Sequence, residues 1–131
     1  MGTMVPSERR FLQARLKQVG YHSAMQNVVE LTAAKWSSVI TTEKRPILLD
    51  FYAPWCGPCK AFAPVLEQVA AELGDSVAFY KINIEEEERL VEHMKVTSVP
   101  TLIIVRNQDE LFRETGAMPK RELIAKLNQF V

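Results

Sequence analysis

The sequence predicts an α/β protein in which a central mixed β-sheet is flanked by helices on both faces. Apolar runs of strand length alternate along most of the chain with segments whose apolar residues recur every three or four positions. This alternation is typical of parallel strands connected by amphipathic helices. Near the end of the chain two strand-like segments follow each other directly, which adds an antiparallel hairpin. With 131 residues, of which 47% are hydrophobic, the chain is long enough for one domain with one core.

The first half of this pattern contains two strands and two helices, each with its own sequence signal. A short segment rich in valine precedes Thr32, whose hydroxyl group suits the N-cap of the next helix. Asp50 is the only charged residue in the apolar run that follows, which is typical of a buried strand. Apolar residues then recur at helical spacing up to Gly74, the expected end of that helix, and Pro64 should bend it. These elements are a strand at 27–31, a helix through Ile40, a strand at 47–52 and a helix ending at Gly74.

The second half adds a strand, a helix, the hairpin and a last helix. Four glutamates at 85–88 are expected to open the helix on a solvated face, because negative charge complements the positive end of the helix dipole. An acidic docking patch or a set of metal ligands is the alternative for this run. A turn near Asn107 separates the hairpin strands, and Pro119 is expected to open the last helix. These elements are a strand at 77–84, a helix through Met94, strands at 101–105 and 110–115, and a helix through Phe130.

Composition and charge argue against several classes of function. Lysine plus arginine equals aspartate plus glutamate at 16 each, whereas a nucleic-acid-binding protein would show a basic excess. No apolar stretch approaches the length of a membrane span, and the first residues lack the apolar core of a secretory signal. Two cysteines cannot make the disulfide framework of a small secreted protein. We therefore expect a soluble, monomeric, cytoplasmic protein without nucleic-acid or membrane partners.

The segment at 1–26 forms an N-terminal extension to the predicted domain at 27–131. It can form a helix in which Leu12, Leu16 and Val19 share one face and basic residues lie elsewhere. Because it is rich in arginine, poor in acidic residues and amphipathic, the extension is similar to a mitochondrial transit peptide, which would place the protein in the mitochondrial matrix. A helix docked on the domain, an arm that binds a partner and a disordered tail are the other interpretations.

The strongest chemical signal is the pair Cys56 and Cys59, the only cysteines in the chain. The pair lies between the strand at 47–52 and a predicted helix, so the first sulfur is at a helix N-terminus, where unpaired N–H groups and the helix dipole favour a thiolate. A structural zinc site would need further ligands, and His22 and His93 lack the required spacing. A purely structural disulfide that closes so short a loop would add little stability. The motif therefore predicts thiol–disulfide exchange, with no metal and no cofactor beyond the Cys56–Cys59 disulfide.

The positions of the two cysteines also predict their roles. Cys56 begins the helix next to Trp55 and is the better placed nucleophile, whereas Cys59 lies one turn further in and fits the resolving role. Asp50 is a carboxylate among large apolar residues, where desolvation would raise its pKa. A strand-end aspartate that reaches solvent is the alternative. Pro100 indicates by itself only that a strand begins there.

Four segments of the chain form a pattern that is more specific than the cysteine motif alone. They are LLDFYAPWCGPCK at 48–60, KINI at 81–84, SVPT at 98–101 and Gly116-Ala117. Through them the sequence from about Asn27 to Val131 resembles thioredoxin along nearly its whole length, and a Cys-x-x-Cys beside a βαβ pattern is the general signature of that family. The resemblance implies a thioredoxin fold and a protein disulfide reductase that passes electrons to disulfide-containing protein substrates. It also implies a thioredoxin reductase as the partner that restores the dithiol.

The same resemblance assigns roles to residues around the cysteines. It places Asp50 behind Cys59 as a proton acceptor, with Lys81 near it. A general base for the resolving cysteine is chemically reasonable, because that step needs a thiolate generated inside the protein. Pro100 would be a cis-proline facing the cysteine pair, and the backbone of Val99 would pair with an extended substrate segment. The residues expected to complete an apolar groove are Trp55, Gly57, Pro58, Gly116 and Ala117.

Two positions depart from the family pattern, and a third distinguishes between the activities found in the superfamily. Pro58 favours a reductant, because oxidases and isomerases of the superfamily often carry histidine there. Tyr52 stands where the family often has a second tryptophan. Gln108 occupies a turn where glycine is usual, so we expect altered hairpin geometry. The alternative functions are a thiol oxidase or isomerase, and a redox-gated binding subunit.

Overall fold

A computed structural model of the protein describes residues 27–131. These residues form a five-stranded sheet with four helices, which confirms the predicted α/β class. The predictions made for the extension at 1–26, including its amphipathic helix, lie outside the described residues. The elements in chain order are β1 (Val29–Glu30), α1 (Ala33–Thr42), β2 (Ile47–Tyr52), α2 (Gly57–Leu73), β3 (Ala78–Asn83), α3 (Glu88–Met94), β4 (Thr101–Arg106), β5 (Asp109–Thr115) and α4 (Lys120–Asn128).

The sheet is mixed, with the strand order β1-β3-β2-β4-β5. Strands β1, β3 and β2 are parallel, whereas β4 pairs antiparallel with β2 and with β5. Tyr52 at the end of β2 is paired with Asn83 at the end of β3, and Phe51 is paired with Thr101 at the start of β4. This edge of the sheet therefore gathers the ends of three strands beside the segment that contains the cysteines.

The two faces of the sheet carry separate hydrophobic cores, as the prediction of helices on both faces requires. Leu48 points toward α2 and α4, where it packs with Phe62 and Leu123. Its neighbour Leu49 points to the opposite face, where the core includes residues of α1 and α3 such as Leu90. Successive residues of a strand face opposite sides of a sheet, so an almost continuously apolar β2 supplies both cores.

The first strand is shorter than the predicted 27–31. The N–H group of Asn27 donates to Glu67 Oε1 at 3.0 Å, and the N–H group of Val28 donates to Oε2 of the same carboxylate at 3.3 Å. Glu67 lies on α2 and is only 6% exposed. The start of this segment therefore bonds to a helix side chain, and strand pairing is confined to Val29–Glu30.

The acidic run does not open the third helix as predicted, because α3 begins only at Glu88. Asn83 organises a turn before it: Asn83 Oδ1 accepts from the Glu85 N–H at 2.9 Å, and its carbonyl accepts from the N–H groups of Glu86 at 3.2 Å and Glu87 at 3.0 Å. These bonds satisfy the N–H groups that would otherwise belong to the first helical turn. Only Glu88 therefore lies in that first turn.

The capping of α1 also differs from the prediction in its chemistry. Thr32 occupies the N-cap position, but its side chain makes no capping hydrogen bond. The N–H group of Ala33 donates instead to Glu87 Oε1 at 2.8 Å. A carboxylate from the turn before α3 therefore stabilises the positive end of α1, which suits the charge of that helix end.

The helix end predicted at Gly74 is present, whereas the turn at Gln108 has a common hairpin form and not the altered geometry that we expected. Helix α2 ends at Leu73, and Gly74 has a right-handed backbone, with φ −62°. A Cβ atom at Gly74 would lie 2.7 Å from the Ala70 carbonyl oxygen, so glycine is needed there for space. In the β4–β5 hairpin Asn107 and Gln108 have φ values of 52° and 70°, which is a two-residue type I′ turn. The hairpin register also shifts between Ile104 and Val105.

Candidate active site

The two cysteines are joined by a disulfide at the first turn of α2, with their Cα atoms 5.2 Å apart. Cys56 is the N-cap residue of the helix, and the Cys59 N–H group donates to Cys56 Sγ at 3.2 Å. In the dithiol form, an N–H donor and the helix dipole at this position would stabilise a thiolate on Cys56. The geometry thus gives the two sulfurs different electrostatic surroundings.

The two cysteines are almost equally buried, although their different positions on the helix would make Cys59 the less accessible one. Cys56 is 5% exposed and Cys59 is 6% exposed. The two sulfurs form one small cluster with Ala53, and Tyr52 and Val99 pack against it. In the disulfide form both sulfurs are therefore covered, and their positions along the helix distinguish them better than their exposure does.

The predicted groove residues belong to three segments of the chain. Trp55 is 64% exposed, and its Nε1 donates to Glu85 Oε2 at 2.5 Å, while Gly57 and Pro58 are exposed beside it. The Val99–Pro100 peptide bond is cis. The two remaining groove residues belong to the next segment: Gly116 donates its N–H to the Pro100 carbonyl at 2.7 Å, and Ala117 follows it with an exposed side chain.

Asp50 lies below the cysteines and is buried, with 5% of its surface exposed. Its Oδ1 atom has no hydrogen-bond partner within residues 27–131. Burial raises the pKa of Asp50 to about 7, and the positive charge of Lys81 opposes that rise. A carboxyl group in this setting can exchange a proton near neutral pH, whereas an ordinary aspartate could not.

A cavity of about 140 Å³ connects Asp50 with the second cysteine. It has room for water molecules, and the polar side chains in its largely apolar lining, such as Asp50 and Lys81, offer them partners. Lys81 also lines the cavity and is paired in register with Asp50 across β3 and β2. The lining residues are Asp50, Tyr52, Ala53, Pro54, Cys59, Lys60, Ala63 and Lys81.

Two carboxylates near the site were not anticipated from the sequence. Glu85 accepts the indole N–H of Trp55, and Glu30 accepts the Tyr52 hydroxyl at 2.8 and 3.0 Å. The acidic run at 85–88 and the unusual tyrosine were both visible in the sequence. Their partners could not be found from it, since the bonded residues are 30 and 22 positions apart in the chain.

Residues 27–131 contain neither a cluster suited to a metal ion nor a helix suited to span a membrane. This part of the chain holds no group of three histidine, cysteine, aspartate or glutamate side chains arranged to hold a metal ion. The helices of the same region include none that is both long enough and apolar enough to cross a membrane.

A mixed sheet with helices on both faces and a Cys-x-x-Cys disulfide at a helix N-terminus defines a thiol–disulfide oxidoreductase. The thioredoxin family model matches residues 27–129. Thioredoxin from Haemophilus influenzae is 38% identical over 107 residues, which cover 82% of this chain and 100% of that protein. The chain therefore belongs to the thioredoxin family, which confirms the resemblance, the fold and the disulfide reductase function predicted from the sequence.

Two further comparisons agree with this assignment. The chloroplastic M-type thioredoxin of Spinacia oleracea is 31% identical over 108 residues, covering 82% of this chain and 60% of that protein. The crystal structure of chloroplastic thioredoxin z superposes with a TM-score of 0.72 at 28% identity, covering 79% of this chain and 93% of that chain. The similarity thus extends over the described sheet and helices and not only over the cysteine motif.

Proposed function

We propose that Cys56 is the attacking nucleophile and Cys59 the resolving cysteine of a reductase that acts on disulfides of other proteins. The observation that carries this assignment is the N-cap position of Cys56, whose sulfur accepts the Cys59 N–H group. A hydrogen-bond donor and the positive end of α2 both favour negative charge on Cys56. Cys59 lies inside the first turn of the helix, farther from its positive end than Cys56.

The proposed cycle transfers two electrons to the substrate. The Cys56 thiolate attacks one sulfur of the substrate disulfide, so that a mixed disulfide forms and the first substrate thiolate leaves. Cys59 then loses its proton and attacks Cys56 Sγ, which releases the second substrate thiolate and forms the Cys56–Cys59 disulfide. The substrate disulfide is reduced, the protein dithiol is oxidised, and no other cofactor takes part.

Asp50 is proposed to accept the proton of Cys59 in the resolving step, with Lys81 placed to adjust its basicity. Three features support these roles: Asp50 and Cys59 line the same cavity, Asp50 Oδ1 has no partner within residues 27–131, and burial raises its pKa to about 7. A base acts most effectively when its pKa is near the working pH. Lys81 lies opposite Asp50 on the neighbouring strand, and its charge opposes the effect of burial.

The substrate is proposed to bind as an extended segment beside the cysteines. The backbone of Val99 would pair with it, as in strand addition, because Val99 packs against the cysteine cluster and precedes the cis peptide bond at Pro100. Backbone hydrogen bonds depend little on the side chains of the substrate, which suits a reductase with many protein substrates. The residues proposed to line the rest of the groove are Trp55, Gly57, Pro58, Gly116 and Ala117.

The proposed reductase partner and the proposed compartment are supported by family membership and by the sequence. A flavin-dependent thioredoxin reductase is proposed to restore the dithiol. Since both sulfurs come from one chain, a monomer suffices for the cycle. The proposed compartment is the cytoplasm, with the mitochondrial matrix as the alternative if the extension at 1–26 acts as a transit peptide. Fluorescent fusions with and without residues 1–26 would distinguish the two.

Trapping of the mixed disulfide tests the cysteine assignment. A Cys59→Ser variant incubated with an oxidised protein substrate should accumulate a covalent complex, because the resolving step is blocked. Cys56→Ser is the matched control and should accumulate none. Non-reducing electrophoresis and mass spectrometry measure the product. Trapping by Cys56→Ser, with none by Cys59→Ser, would reverse the two roles.

A further inference from the structure

We propose that Glu30 is a positioning residue for the redox site. The Tyr52 hydroxyl holds Glu30 on the far side of Lys81, so that the negative charge of Glu30 opposes the effect of Lys81 on Asp50 and helps to set the pH range in which Asp50 accepts a proton. This inference rests on the proposed role of Asp50, and it adds a residue that the sequence motif does not include.

The first support is the register of three neighbouring strands. Lys81 on β3 is paired with Glu30 on β1 and with Asp50 on β2. Residues paired across a sheet point to the same face, and neighbouring strands lie about 4.8 Å apart. The three side chains therefore form a row in which one cationic residue stands between two acidic residues.

The second support is the way in which Tyr52 spans this row. Tyr52 follows Asp50 by two positions on β2, so both side chains leave the same face of the strand. Its hydroxyl donates to Glu30 Oε2 at 2.8 Å and to Oε1 at 3.0 Å, and Lys81 Nζ lies 5.8 Å from the centre of its ring. Tyr52 thus reaches past Lys81 and fixes the position of the Glu30 carboxylate.

The tyrosine keeps its proton throughout the working range of the enzyme. Burial raises the pKa of Tyr52 above its ordinary value, and the hydrogen bond to Glu30 raises it further. The hydroxyl therefore acts as a donor and Glu30 as the acceptor at any neutral pH. The Tyr52 hydroxyl therefore keeps its proton in the pH range in which Asp50 titrates.

The electrostatic consequence is that Asp50 is exposed to two opposing charges. Lys81 lowers the pKa of Asp50 and Glu30 raises it, so the two neighbours act in opposite directions on the buried carboxyl group. The other polar groups around Asp50 are Tyr52 on its own strand, and Cys59 and Lys60 on α2, all of which line the shared cavity. On β4 the residue paired with Asp50 is Leu102, which is apolar. Glu86 follows β3, and its negative charge raises the pKa of Tyr52.

The test is a titration of Asp50 in the oxidised full-length protein with Glu30→Gln. Glutamine keeps an oxygen that can accept the Tyr52 hydroxyl but removes the negative charge. Carbon-13 NMR of the Asp50 carboxyl group measures the titration midpoint directly. Two strand spacings separate the carboxylates by about 10 Å, so removal of a partly screened charge should lower the midpoint by about half a pH unit. This corresponds to about a threefold change in the ionisation equilibrium.

Glu114→Gln is the matched control. Glu114 on β5 is paired with Leu102, which is paired with Asp50, so Glu114 is also two strands away and its replacement removes the same charge. Among the hydrogen bonds and ion pairs within residues 27–131, none holds the Glu114 carboxylate in place, whereas Tyr52 holds that of Glu30. A free, exposed carboxylate is screened more completely by solvent, so the Asp50 midpoint should move much less in Glu114→Gln than in Glu30→Gln. Equal midpoint shifts in the two variants, or an unchanged midpoint in Glu30→Gln, would overturn the proposal.

A second pair of variants tests the part played by the tyrosine. Tyr52→Phe keeps the ring but releases Glu30 into solvent, so the Asp50 midpoint should fall, and adding Glu30→Gln should lower it little further. If the midpoint shift of the double variant equalled the sum of the two single shifts, Glu30 would not act through its bond to Tyr52, and the proposal would be contradicted. The titration midpoint can be measured without turnover, so it tests the role of Glu30 separately from the role of Asp50 as a base. The role of Asp50 would be contradicted if Asp50→Asn resolved mixed disulfides at the rate of the unaltered protein.

Discussion

Replacement of Asp50 by asparagine is expected to stabilise the oxidised protein at neutral and alkaline pH but not in acid. The unaltered protein buries this carboxyl group at 5% exposure, with one oxygen that has no hydrogen-bond partner within residues 27–131. A charged group in that position is poorly solvated, whereas it is fully solvated in the unfolded chain. Asparagine has nearly the same shape and carries no charge at any pH.

The magnitude follows from the pKa of Asp50 in the two states. Burial raises it from 3.8 to about 7 in the folded protein, a difference of about three. Between these values the folded state binds more protons than the unfolded state, so stability falls as the pH rises through this window and is constant above it. A difference of one pKa unit between the two states corresponds to about 1.4 kcal/mol, so above pH 8 the charged Asp50 lowers the free energy of unfolding by about 4 kcal/mol.

Urea unfolding of the oxidised protein from pH 4 to pH 9 provides the assay. The free energy of unfolding of Asp50→Asn minus that of the unaltered protein should be small at pH 4 and rise to about 4 kcal/mol above pH 8. Asp109→Asn, at an exposed position, is the control and should give a small difference at every pH. A difference that does not change with pH would refute the reasoning, because it would show that Asp50 does not titrate differently on folding.

Three further predictions concern stability measured by urea unfolding. Gln108→Gly should stabilise the protein by about 1 kcal/mol, because Gln108 holds a left-handed φ of 70°, while Gln108→Ala should bring no such gain. Gly74→Ala should destabilise it by about 2 kcal/mol, since the new Cβ would lie 2.7 Å from the Ala70 carbonyl oxygen, whereas Gly57→Ala meets nothing within 4 Å and should be nearly neutral. Glu67→Gln should cost about 1 kcal/mol, because its carboxylate accepts two N–H groups at the start of β1; an unchanged stability would show that these bonds are dispensable.

Much of the fold could be predicted because its signals are local. The apolar run of β2, the helical spacing after the cysteines and the stop at Gly74 all lie within short windows of sequence, and the elements have the predicted types. The cysteine motif likewise identifies its own chemistry, since its spacing and its place before a helix are both visible in the chain. The roles predicted for the residues around the cysteines came from the resemblance to thioredoxin.

The features that could not be predicted depend on side chains far apart in sequence. The shortening of β1 by Glu67, the capping of α1 by Glu87 and the bond between Tyr52 and Glu30 all join different elements. The start of α3 was misplaced because Asn83 satisfies N–H groups that the acidic run suggested for a helix. The two possible environments of Asp50 were equally compatible with its sequence, and its burial depends on packing from several strands and α2.

Reduction of insulin disulfides by dithiothreitol in the presence of the protein tests the central claim most directly. The intact chain should accelerate the reaction strongly, and Cys56→Ser should reduce it to the rate without protein, because the attacking thiolate is lost. Circular dichroism of both proteins verifies that they are folded. A folded intact chain that gives no acceleration, or a Cys56→Ser variant that keeps full activity, would contradict the account.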